Sequence, residues 1–145
     1  MRIISDIIVF AMANYVYHTE FAVRDYEIDS EGIVNNAIYL HYLEHSRHNF
    51  CREAGFSFAQ MKEQGMIPVV NRIEVDYKTP LRSGDVVDSR LWVEMRGPRF
   101  VFHQDLYNRD TGNLAVSAVV SVVCLVDGKP SRGEMLAQIF ARYLP

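Results

Sequence analysis

A chain of 145 residues fits one domain and is long enough to bury roughly 70% of its unfolded surface without a disulfide or metal staple. With 49% hydrophobic and 23% charged residues it has the composition of a globular protein and not of a disordered one. A net charge of −3 is the wrong sign for a protein whose main partner is nucleic acid, although a local basic patch still suffices for one small phosphorylated ligand.

The first segment, MRIISDIIVFAMA, is apolar with one arginine ahead of it. Asp6 interrupts the run, which is too short to span a bilayer at about 20 residues, and no mature start follows it. Residues 1–14 are read as an N-terminal extension on a domain of residues 15–145, or as a leader ahead of an internal start at Met12, in preference to a signal peptide. Tyr15 to Arg24 then alternates Tyr15, Tyr17, Thr19, Phe21 and Val23 with His18, Glu20 and Arg24, a strand with one buried face. The cluster Asp29-Ser30-Glu31-Gly32 ends it in a turn.

From Asn36 the period changes. Tyr39, Leu40, Leu43, Ser46, Phe50 and Ala54 recur at three- and four-residue steps, with His41, Glu44, His45, His48, Arg52 and Glu53 on much of the other side. This predicts an amphipathic helix of about five turns, capped by Asn35 or Asn36 and stopped at Gly55. A short helix over Phe58 to Glu63 follows. Ile67 to Lys78 alternates again, with Ile73, Val75 and Tyr77 against Arg72, Glu74, Asp76 and Lys78. Further strands are predicted over Val86 to Met95, Arg99 to Tyr107 and the near-continuous apolar run Leu114 to Val126, which suits a central strand. Gly133 to Tyr143 closes the chain with a short helix.

Consecutive strands joined by tight Gly-containing turns are antiparallel, because parallel crossovers need a dozen residues or more. The sum is α+β: a five-stranded antiparallel sheet with one long helix laid against it, and no repeat or second domain. Cys51 and Cys124 are far apart and form no CxxC, so they read as reduced, buried thiols of a cytoplasmic protein. His41, His45 and His48 share a helical face but lack HExxH spacing and an acidic third ligand, which makes them a solvated or interface face and not a metal site.

The stretch Tyr26-Glu27-Ile28-Asp29-Ser30-Glu31-Gly32-Ile33-Val34-Asn35-Asn36-Ala37-Ile38-Tyr39 resembles the signature of the 4-hydroxybenzoyl-CoA thioesterase family and its relatives in the bacterial Tol-Pal gene cluster. Asp29, Gly32, Val34, Asn36 and Tyr39 occupy the positions of Asp-x-x-Gly-x-Val-x-(His/Asn/Tyr)-x-x-Tyr, and Tyr42, Glu44 and Arg47 suit the helix that follows. With the matching element order, the resemblance covers Tyr15 to Val126. Glu27 stands where many members carry a second aspartate.

The resemblance implies a hot-dog fold, in which the sheet wraps the helix, and hydrolysis of an acyl-CoA thioester without metal or cofactor. It makes Asp29 the catalytic carboxylate and the backbone N–H of Asn36 the oxyanion donor. Physical chemistry agrees with both roles. A carboxylate with a reference pKa near 3.9 is ionised at neutral pH, ready to attack a carbonyl or to orient water. The first N–H groups of a helix lack intrahelical partners, and the helix dipole adds positive charge there. One such donor supplies roughly 3 kcal/mol to a developing oxyanion.

Gly32, Val34 and Tyr39 are expected at the substrate site with Asn36. Glu44 is the alternative carboxylate, since another branch of hot-dog thioesterases places its acid on the helix. Lys78, Arg82, Arg96 and Arg99 gather around predicted turns and are candidates for the CoA phosphates. An acyl carrier protein thioesterase would use the same residues. A hot-dog dehydratase fits less well, since no histidine occurs between Glu20 and Leu40. A non-catalytic acyl-binding module is the reading from another class. An unpaired sheet edge and the family habit together imply a homodimer or homotetramer with the site between protomers.

Overall fold

The computed structural model describes residues 15–145 of the chain, so the N-terminal extension read from residues 1–14 lies outside the described residues. Strand β1 (Tyr17–Ala22) leads through a 3-10 turn (Asp25–Glu27) to the long helix α1 (Ile38–Glu53) and the short α2 (Phe58–Glu63). Strands β2 (Met66–Tyr77), β3 (Val86–Arg96), β4 (Arg99–Asn108) and β5 (Leu114–Val126) follow, then a two-residue β6 (Lys129–Pro130) and α3 (Glu134–Ile139). The sheet runs β1-β3-β4-β5-β2, every pairing antiparallel, with β6 folded back on the end of β5. It curls around α1, the hot-dog arrangement that the sequence predicts. β6 is the one strand that periodicity does not reveal. It arises because Asp127 and Gly128 both take positive φ, the geometry of a two-residue hairpin turn.

The period-two strands present their inner members to α1. Leu91 and Val93 of β3, Phe100 and Phe102 of β4, and Val120 and Val122 of β5 join Phe50 and Cys51 of α1 in one buried cluster. Tyr39, Tyr42 and Leu43 hold a second cluster with Val87, Leu106 and Val116 nearer the helix start. Phe50, 1% exposed, has Tyr17, Phe102, Phe140 and Tyr143 around its ring at centroid distances of 5.0 to 6.2 Å. Phe50→Ala should therefore cost about 3–5 kcal/mol of unfolding free energy, read from the midpoint of a urea titration.

Between the clusters runs a buried polar belt. Ser46 Oγ donates to Tyr42 O at 3.0 Å and lies 2.6 Å from Ser89 Oγ, while Gln104 Nε2 donates to Leu43 O at 3.0 Å. Each group finds a partner, as burial demands.

Two sequence expectations change. Leu40 is 39% exposed, because the buried face of α1 runs through 39, 42, 43, 46, 47, 50 and 51 and leaves it to one side. Arg47 takes the inner place on that face. Tyr15 leaves the alternation of β1; its hydroxyl donates to Asp105 Oδ2 at 2.6 Å and sits 3.0 Å from Tyr107 Oη, on the face of the sheet away from α1.

β2 differs from its neighbours. It alternates as expected, yet Ile67, Val69, Val70, Ile73 and Tyr77 are all 40% or more exposed. The strand lies at the sheet edge, paired with β5 on one side and, among the described residues, unpaired on the other.

Candidate active site

The connection from β1 to α1 is built by local hydrogen bonds before any packing acts on it. Asp29 closes the turn: its N–H donates to Ile33 O at 2.8 Å, its carbonyl accepts from Gly32 N–H at 3.1 Å, and its Oδ1 accepts from Glu31 N–H at 2.8 Å. Gly32 sits at φ +78°, a left-handed conformation that glycine adopts without strain. Asp29 therefore performs the turn role that its sequence context allows. Among the described residues its second oxygen, Oδ2, bonds to nothing.

Glu27 anchors the turn from beneath. Its buried carboxylate accepts from Arg24 N–H at 2.8 Å and from Tyr42 Oη at 2.9 Å, and its carbonyl accepts from Asn35 N–H at 3.0 Å. Burial and that carboxylate together push the Tyr42 hydroxyl well above its ordinary pKa, so Tyr42 stays a donor. Glu27, at the position where many relatives carry a second aspartate, is thus a structural tie between turn and helix.

At the helix entry, Asn35 Oδ1 accepts from Ala37 N–H at 2.9 Å and Asn35 O accepts from Ile38 N–H at 2.9 Å. The α-helix starts at Ile38, two residues later than the sequence suggests, and its cap position is Ala37. Asn36 lies between. Its carbonyl accepts from Tyr77 Oη at 3.0 Å, while its N–H has no acceptor among the described residues. Tyr39, buried beneath, accepts from Leu81 N–H at 3.1 Å through its hydroxyl, and burial raises its pKa. Val34 donates through its N–H to Leu81 O at 2.9 Å, which fixes the loop before β3 against the turn.

These elements enclose a cleft of about 520 Å³. Asp29, Asn36, Val34, Tyr39 and Lys78 line it, so one space gathers five of the residues singled out in the sequence. Ile33, Tyr77, Thr79, Pro80 and Ala115 complete the wall. Tyr77 is the addition that sequence reasoning missed; the only signal was its place at the end of the alternating face of β2. Gly32 forms the turn outside the cleft wall.

The other candidates lie elsewhere. Arg82 sits near the turn, with Nη1 3.5 Å from Gly32 O, and is not in the cleft wall. Arg96 and Arg99 line a groove on the outer face of the sheet with Arg72, where Arg96 pairs with Glu94 and Arg72 with Glu74. Glu44 lies further along α1, at the rim of a separate cavity. His45 bonds to Asn49 at 3.0 Å and His48 lies against the Phe58 ring at 4.7 Å; among the described residues no group of three His, Cys, Asp or Glu is placed to hold a metal ion. No helix of the described residues is long and apolar enough to cross a membrane.

One cleft thus brings together Asp29, with an unpaired carboxylate oxygen, and Asn36, whose N–H has no acceptor among the described residues. Comparison with known proteins gives the class. Residues 23–137 match the thioesterase-like superfamily, and the chain belongs to that family. It is 33% identical over 113 residues to the acyl-CoA thioesterase YbgC of Haemophilus influenzae, covering 75% of this chain and 82% of that one. It is 38% identical over 77 residues to the chloroplast acyl-acyl carrier protein thioesterase ATL3 of Arabidopsis thaliana, covering 52% of this chain but only 40% of the plant protein's length. Among solved structures, a DHNA-CoA thioesterase of Staphylococcus aureus superposes with a TM-score of 0.75 at 26% identity, over 86% of this chain and 88% of the other.

Proposed function

We propose that the chain hydrolyses an acyl-CoA thioester to the free acid and CoA, with Asp29 as the catalytic carboxylate and the Asn36 N–H as the oxyanion donor. The observation that carries this reading is the shared cleft, lined both by Asp29, which has an unpaired carboxylate oxygen, and by Asn36, whose amide has no partner among the described residues. The thioester carbonyl lies against the helix entry, where partial positive charge meets the oxygen as it turns negative. Asp29 either attacks the carbonyl carbon itself or takes a proton from the water that does. On the base route the water oxygen bonds to the carbonyl carbon, the carbon–sulfur bond breaks and the proton taken by Asp29 passes to the leaving CoA sulfur. On the direct route Asp29 displaces CoA to form an anhydride, which water then cleaves to give the free acid and restore Asp29, a proton from that water going to the CoA thiolate.

Lys78, at the cleft wall, is placed for a phosphate or pantetheine oxygen, and Arg82 stands close to the turn. Arg99 and Arg96, on the outer face, would meet CoA only at its nucleotide end. The motif from Asp29 to Tyr39 supports a place beside the 4-hydroxybenzoyl-CoA and Tol-Pal-associated thioesterases. The free, buried thiols of Cys51 and Cys124 support a reducing, cytoplasmic compartment.

The exposed apolar edge of β2 supports a homodimer in which two copies pair their β2 strands antiparallel about a two-fold axis, with a tetramer as the next step. Edge pairing removes the open hydrogen-bond row and covers Ile73 and Tyr77 together. The similarity to a plant acyl carrier protein thioesterase supports a second carrier for the same chemistry.

A thiol reagent tests both readings. The full chain should release CoA from butanoyl-CoA over many turnovers per protomer, and comparison with a butanoyl carrier protein sets the preferred carrier. Tight binding with no thiol released would make the chain an acyl-binding module instead.

A further inference from the structure

Beyond the Asp29 cleft, α1 and the sheet leave a second cavity, about 130 Å³ in volume. Buried Met61, Phe100, Phe102, Val122, Leu136 and Phe140 form its apolar walls. An apolar cavity of about 150 Å³ holds benzene, so this one fits about one ring or four to five carbons.

One wall is not apolar. Arg47 lines the cavity and is 8% exposed. Its Nη1 donates to Gln104 Oε1 at 3.0 Å, and its guanidinium carbon lies 6.0 Å from the centre of the Phe102 ring. Among the described residues it has no ion-pair partner. Burial lowers its pKa; Glu44, exposed at the rim, acts in the opposite direction without bonding to it. A guanidinium carries five donors, and burying a cation without a counter-charge is costly. A wall of this kind complements a ligand that brings an acceptor oxygen.

The cavity is remote from the cleft of its own protomer. From Ile38 to Arg47 α1 rises about 14 Å, beyond the reach of a short acyl group whose carbonyl sits at Asn36. Two-fold pairing of the β2 edges changes this. The cavity rim includes Pro68 and Val70 from the first half of β2, and the cleft includes Tyr77 from its end. Antiparallel pairing lays the first half of one strand beside the second half of the other. In the proposed dimer this would bring the cavity end of one β2 alongside the cleft end of its partner's.

We propose that this cavity is the acyl pocket for the partner's Asp29 cleft, and that it selects a compact acyl group whose own acceptor oxygen is bound by Arg47. This rests on the thioesterase reading above and names the substrate class for it. The oxygen is either a 3-oxo group near the thioester or a carboxylate at the far end of the acyl chain. Both offer the same acceptor chemistry to the guanidinium.

Four CoA esters test the proposal on the full chain: butanoyl, acetoacetyl, succinyl and dodecanoyl. The expected result is a kcat/KM for acetoacetyl-CoA or succinyl-CoA at least about 10-fold above both butanoyl-CoA and dodecanoyl-CoA, the size of effect that a hydrogen bond to a charged group gives. Which of the two leads identifies the oxygen. Arg47→Met should bring the ratio to butanoyl-CoA close to one, and Arg47→Lys should restore part of it. If Arg47 only ties α1 to Gln104, the methionine variant lowers all four esters together and the proposal is overturned. It is overturned equally if the wild-type chain prefers butanoyl-CoA or dodecanoyl-CoA, or if the preference survives in Arg47→Met. Under each of those outcomes thiol is still released and the Asp29 reading stands. Release from none of the four esters removes both.

Discussion

Replacing Ile73 with lysine should turn the proposed dimer into a monomer and reduce kcat/KM by more than tenfold. Ile73 lies near the middle of β2, 42% exposed on a strand whose outer edge pairs with nothing among the described residues. Its cross-strand neighbour, Val120 of β5, is buried, so Ile73 stands at the margin where the covered sheet gives way to an open apolar strip. In the proposed dimer a lysine there would lose its hydration without gaining a counter-charge, and breaking up a buried arrangement in this way costs about 3–5 kcal/mol. Lysine on a sheet edge is also the residue type that keeps such edges apart. Within one copy, position 73 is open enough to take the longer side chain, so the monomer should remain folded. Light scattering reads the mass, circular dichroism the fold and thiol release the activity. A folded monomer with full activity would show that one copy is sufficient and would remove the shared-site reading.

Much of this architecture is legible in the sequence because one-sided burial imposes a period. Tyr17 and Phe21, or Ile73, Val75 and Tyr77, face one way simply because side chains alternate along a strand. The motif around Asp29 is legible for another reason: the turn needs a glycine free to take positive φ at Gly32, and an aspartate whose side chain bonds two residues ahead.

What the sequence does not carry is the direction in which a surface group points once strands are in register. Arg82 and Arg99 both follow predicted turns, yet one lies near Asp29 and the other on the opposite face of the sheet. Arg47 was readable only in part. Its offsets of four from Leu43 and three from Phe50 place it on the inner helix face, but nothing local names Gln104, 57 residues away, as its partner. Tyr77 escaped for the same reason, since its bond to Asn36 spans 41 residues. Local hydrogen bonding and period are written in short windows of sequence, while the contacts that complete a cleft are not.

Asp29→Asn should lower kcat by roughly 10²- to 10⁴-fold, the range that a positioned acid or base supplies. Asparagine keeps the Oδ1 acceptor that Glu31 N–H uses, and it is as much at home in such a turn as aspartate. The loop, the entry to α1 and the Asn36 amide should therefore stay in place, and binding of the CoA ester should survive. What is lost is the negative charge on the free oxygen, which asparagine supplies neither as nucleophile nor as base. The decisive measurement is the steady-state rate of CoA release by wild-type and Asp29→Asn chains at matched protomer concentration. A variant that is folded, unchanged in mass and still able to bind the ester should retain less than about 1% of the wild-type rate. Near-normal release by that variant would contradict the proposed role of Asp29 and move the reaction away from this cleft.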